Sequence, residues 1–106
     1  MSKDYEEFIE MSIAKSADLL NEEMQVTIDV SMYPNKEDFI PPIKGFIQKI
    51  NTFANLKITT FPTSTVVQGE YHHAMNAVSE TILVCQQEFD NAVYVMKVIP
   101  NYKALD

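Results

Sequence analysis

Two short runs of this sequence could present hydrogen-bonding groups to a single molecule. In MQVTIDVSMY, Asp29, Ser31 and Tyr33 recur at every second residue, and in STVVQGEY, Gln68 and Glu70 do the same. A period of two puts each set on one side of an extended strand. Two carboxylates, two hydroxyls and an amide make a surface that accepts from amino groups, with the Tyr33 ring able to flank a planar partner. A solvated outer sheet face would show the same pattern, but Val66, Val93 and Val95 fall beside the polar set and argue against full solvation.

The other reactive residue types are poorly placed for chemistry. His72 and His73 are adjacent, so on a helix they point about 100° apart and do not converge on one metal. No zinc-motif spacing surrounds them, and no metal site is expected. Cys85 has Leu83 and Val84 beside it and no activating base or cation, which suits an inert core thiol. Gly45 and Gly69 are the two glycines, so no glycine-rich loop can cradle a phosphate, and no nucleotide or other cofactor is expected. The surface suits binding more than catalysis, and the chain reads as a non-enzyme.

Apolar periodicity defines the elements that must position these groups. Met24, Val26, Ile28, Val30 and Met32 alternate with polar residues up to Tyr33, a strand with one buried face that Pro34 and Asn35 end. Ile43, Phe46, Ile47, Ile50 and Phe53 stripe a helix for which Asp38 is the expected N-cap. A hairpin follows, Leu56 to Phe61 and Ser64 to Glu70. Its second arm should turn Thr65, Val67 and Gly69 inward, because burying Gln68 and Glu70 without partners is costly. Met75, Val78, Ile82, Cys85 and Phe89 stripe a helix over Tyr71–Phe89, and Ala92 to Ile99 is a final strand stopped by Pro100. In that strand Tyr94, Met96 and Val98 are expected inward and Val93, Val95 and Lys97 outward, with the methionines in the core.

This order predicts an α+β, ferredoxin-like βαββαβ sandwich with strand order fourth, first, third, second, both helices on one side and the other side uncovered. Asp29, Ser31, Tyr33, Gln68 and Glu70 then become neighbours on the uncovered side. Ahead of it, Tyr5, Phe8, Ile9, Ile13, Leu19 and Leu20 stripe an amphipathic helix over Asp4 to about Leu20. The division is a helical extension over 1–23 and a domain over 24–106.

The chain has 106 residues, 46 % apolar and 22 % charged, which suits one ordinary globular core. A net charge of −7 disfavours nucleic acid and anionic membrane surfaces and would attract a cationic small molecule. One cysteine, no signal-like N-terminus and no apolar run near the ~20 residues of a membrane span lead to an expected cytoplasmic location.

VSMYP at Val30–Pro34, the PPI start at Pro41–Ile43, STVVQGEY at Ser64–Tyr71 and the closing AVYVMKVIP together resemble the YkoF-related thiamine-binding family. The resemblance covers roughly Met24 to Pro100. It implies a ferredoxin-like, non-catalytic binder of thiamine or its hydroxymethylpyrimidine half, held where subunits pair through their sheets. One repeat then needs a partner chain, a homodimer or higher homo-oligomer. The resemblance also implies Ser31, Tyr33, Ser64, Thr65 and Glu70 as contacts, to which the sheet argument adds Asp29 and Gln68. The alternatives are a cofactor-free ferredoxin-like enzyme of the monooxygenase type, which would want a Trp, His or Asn in a closed pocket, and an ACT-type sensor, which would want a glycine after the first strand. A ligand-free oligomerisation scaffold is the fourth reading.

Overall fold

The computed structural model describes residues 23–35 and 37–105. The helix expected over Asp4–Leu20 lies outside the described residues. From Gln25 onward the elements run β1 (Gln25–Pro34), α1 (Ile40–Ile50), β2 (Lys57–Thr60), β3 (Thr65–Glu70), α2 (Tyr71–Phe89) and β4 (Ala92–Pro100). The four strands form one sheet in the order β2-β3-β1-β4, with every neighbouring pair antiparallel. This α+β arrangement is compatible with a ferredoxin-like fold.

The parity expected for the strands holds. Ile28 lies opposite Val67 in β3 and Val98 in β4, and Val30 opposite Thr65 and Met96. These side chains share the inner face, where Val26, Ile28, Val30 and Val67 join Phe46 and Ile50 of α1 and Ala74, Ala77, Val78 and Cys85 of α2 in one buried cluster. Gly45 allows the two helices to approach, because a Cβ there would overlap the ring of Phe89.

Three expectations are corrected. Asp38 is not the cap of α1: the helix starts later, with Phe39 at the N-cap and no side-chain cap bond. Its first turn holds Pro41 and Pro42, whose missing N–H groups would have had no intrahelical partner there. The same helix stops at Ile50 rather than Phe53. Asn51 Nδ2 donates to the Ile47 carbonyl at 2.7 Å and Thr52 Oγ1 to the Lys49 carbonyl at 2.7 Å, so a side chain takes the Lys49 acceptor that a further turn would offer the Phe53 N–H. Met96 faces inward but is 40 % exposed, because β4 is an edge strand and Met96 borders a groove against Met75 and Ile82 of α2.

Cys85 behaves as the residue pattern suggests. Its thiol is 1 % exposed, and burial first, then the Glu88 carboxylate, push its pKa up, against a lowering hydrogen bond with Tyr94. Burial likewise pushes the Tyr94 phenol up to about 12, with the nearby Cys85 adding to it. The thiolate fraction is therefore suppressed as well as shielded. A thiol-specific chromogenic reagent at pH 8 should label the native chain only as fast as it unfolds, and stoichiometrically in denaturant. Rapid labelling of native protein would contradict this burial.

Candidate functional site

Rows across the outer face follow from the register. Lys57, Gln68, Thr27 and Ile99 form one row, and Thr59, Val66, Asp29 and Lys97 the next. Ser31 with Val95, then Tyr33 with Val93, continue toward the end of β1. Asp29, Ser31, Tyr33 and Gln68 therefore share one face. Along its β4 side, Tyr33 (57 %), Val93 (62 %) and Val95 (50 %) are open to solvent, an apolar strip beside the polar groups.

That face is not wholly uncovered. After β4 the chain turns at Asn101, whose N–H donates to the Gln25 carbonyl at 2.7 Å, and residues 102–105 then cross the sheet as a strap. Thr27 Oγ1 donates to the Tyr102 carbonyl at 2.7 Å and accepts from the Ala104 N–H at 3.1 Å. Gln68 Nε2 donates to the Leu105 carbonyl at 3.0 Å, and its Oε1 accepts from the Leu105 N–H at 2.7 Å. Thr27 and Gln68 are consequently buried, at 2 % and 4 % exposure. They pin the strap in the way a neighbouring strand's backbone would, so Gln68 is committed within the chain. Sequence reasoning singled out neither Thr27 nor the strap; Thr27 shares the parity of Asp29, but NYKAL has no periodicity from which docking could be read.

Asp29 stands next to the strapped row with a different status. Its Oδ1 is shielded from solvent and accepts no hydrogen bond from any described residue. A buried acceptor of this kind costs about 1–3 kcal/mol when it stays unpaired, and such groups in native proteins call for an explanation. Ser31 Oγ, farther along β1, donates to the Thr63 carbonyl at 3.1 Å and ties the β2–β3 turn to the central strand.

The other expected contacts go elsewhere. Thr65 turns to the helix side opposite Val30 and is buried. Together with Ser64 it lines a cleft of about 80 Å³ between α1 and the hairpin turn, apart from Asp29. Glu70, at the end of β3, is the N-cap of α2, its Oε2 accepting from the His73 N–H at 2.8 Å. Those backbone N–H groups, His73 first and then His72, hold its pKa below 4.5. His73 in turn places Nε2 at 2.7 Å from the Ala54 carbonyl, a contact that favours the Nε2–H tautomer. Among the described residues no group of His, Cys, Asp and Glu could hold a metal, and no helix is long and apolar enough to cross a membrane.

The Glu70 cap has a signed pH dependence. A carboxyl whose folded pKa is depressed stabilises above its unfolded value and loses that contribution as pH falls through the folded pKa. Glu70→Gln should therefore lower the melting temperature at pH 7 and have a smaller effect at pH values well below 4.5. An equal effect at both would show that the cap is not what Glu70 contributes.

No family model matches the sequence, and no curated protein does. Solved structures are similar. A Thermotoga maritima protein provisionally assigned to thiamine biosynthesis/salvage superimposes with TM-score 0.66 at 28 % identity, over 76 % of this chain and 85 % of that one. A Streptococcus pneumoniae protein gives 0.66 at 26 % identity over 71 % and 84 %. A DUF77 domain of unknown function from Bacillus cereus gives 0.61 at 15 % identity over 76 % and 78 %, a likeness of fold alone.

Proposed function

We propose that this chain binds an aminopyrimidine, thiamine or its hydroxymethylpyrimidine half, without transforming it. The observation that carries the reading is Asp29 Oδ1 on the outer face, shielded and without a hydrogen-bond partner among the described residues. An aminopyrimidine brings an exocyclic N–H donor beside ring acceptors. The N–H would meet the carboxylate as a charge-assisted bond, with the Ser31 hydroxyl in the next row and the exposed Tyr33 ring available to a planar group. The likeness to a thiamine biosynthesis/salvage protein supports the same ligand class.

A second copy covering the face would remove Tyr33, Val93 and Val95 from water and enclose the ligand, so the functional unit in this reading is a homodimer or larger, working in the cytoplasm. Gln68, engaged by the strap, and Glu70, engaged by α2, contribute as supports of the face. Isothermal titration of the chain with hydroxymethylpyrimidine and with thiamine tests the proposal. Saturable heat at micromolar to millimolar ligand supports it, and silence with both at millimolar concentration removes it. Native mass spectrometry of freshly purified protein reads the subunit count and any co-purified small molecule together.

A further inference from the structure

The strap also completes a second feature of the outer face. A cleft of about 430 Å³ opens at its β2 edge, lined by Lys57 and Lys103 with Gln25, Asn55 and Gln68, and no carboxylate is among its described lining residues. In a chain of net charge −7 with eight basic residues, two lysines lining one concavity run against the overall field. Lys97 also belongs to the outer side, in register with Asp29. Of the described carboxylates, Glu80 and Glu88 lie on α2 and Glu37 and Asp38 before α1, and Glu70, which follows Gly69, is engaged as the cap of α2. Net charge alone would turn phosphates away, but the local distribution favours them here.

The cleft is held by structure on both sides. Lys103 is flanked by Tyr102 and Ala104, both bonded to Thr27, and Leu105 is paired with Gln68, so its backbone is fixed rather than a free tail. Lys57 stands opposite Gln68 in β2. Asn55, in the turn between α1 and β2, has φ of 63°, and its carbonyl would lie 3.3 Å from a Cβ at Gly69, a Cβ that would also press on Leu56. Glycine at 69 thus lets this turn settle against β3 and brings Asn55 to the cleft.

We infer that this cleft is a site for the phosphate of a phosphomonoester, with Lys57 and Lys103 as its cationic contacts. A phosphate dianion would offset both lysine charges, and lysine binds phosphate as a point charge. The Lys57–Gln68 row lies two residues along the strands from the Asp29 row, about 7 Å, and Lys57 two strands across from Asp29, so their Cα atoms are roughly 12 Å apart. Lysine reach closes most of that distance for a small ring carrying a phosphate. Resting on the aminopyrimidine reading, the ligand class narrows to a phosphorylated aminopyrimidine.

Titration calorimetry of the full chain at low salt, with hydroxymethylpyrimidine, its phosphate ester and inorganic phosphate, tests the inference. The ester should bind at least about tenfold tighter than the alcohol, the worth of one charge-assisted contact, and that preference should shrink with added salt. Lys57→Met and Lys103→Met, both at exposed positions, should bring the two ligands to within about twofold of each other, the residue of that contact. Equal affinities in the unmodified chain, or a preference that survives both substitutions, would overturn the anion site and leave the aminopyrimidine reading standing. If the alcohol is silent while the ester and inorganic phosphate bind equally in a Lys57-dependent way, the anion site stands and the aminopyrimidine reading falls. Silence with all three removes both.

Discussion

Ile28→Ala is expected to destabilise the domain by about 2–5 kcal/mol, the range for truncating a fully buried aliphatic side chain where the surroundings relax only in part. Ile28 is 0 % exposed and sits mid-way along β1, in register with Val67 on one side and Val98 on the other. Strands held from both edges collapse poorly onto a void, which places this site toward the upper part of the range. For a domain of this size each kcal/mol moves the melting temperature by roughly 4–8 °C, so thermal unfolding followed by circular dichroism should shift down by on the order of 10 °C or more. A shift of only a degree or two would mean that Ile28 is not at the centre of the core.

The parity that makes Ile28 essential was legible in the sequence, because a half-buried antiparallel strand writes its two faces as alternate residues. MQVTIDVSMY does so without exception, and the inward choice of Val67 over Gln68 followed from the cost of burying an amide unpartnered. Gln68 is nonetheless buried, with both ends of its amide satisfied by Leu105. A side chain can be outward and buried when a remote segment docks on it, and a contact between residues 37 apart in the chain leaves no local trace. The end of α1 was hidden for a related reason. The apolar stripe continues to Phe53, but Asn51 and Thr52 cap the carbonyls first. Ser64 and Thr65 were expected beside Asp29 from the resemblance, whereas strand parity alone would have separated Thr65 from it.

One residue farther along β1, the expected sign reverses. Asp29→Val should stabilise the ligand-free chain by about 1 kcal/mol, because it removes an unpaired buried oxygen worth roughly 1–3 kcal/mol and puts a β-branched side chain on a central strand. The neighbouring Val66 and the register with Lys97 leave the substitution in a mixed apolar and polar setting, where the aliphatic side chain strands no described partner of Oδ1. Binding should move the other way. If the carboxylate receives an amino group, Asp29→Val and the near-isosteric Asp29→Asn should each weaken aminopyrimidine binding by about 1.5–3 kcal/mol, or roughly ten- to a hundredfold in Kd. Denaturant titration and calorimetry on the same samples separate the two effects. A chain that gains stability and loses ligand identifies Asp29 as an acceptor kept unsatisfied for a ligand. Loss of stability with unchanged affinity would assign the carboxylate a structural role and leave the binding proposal without its central observation.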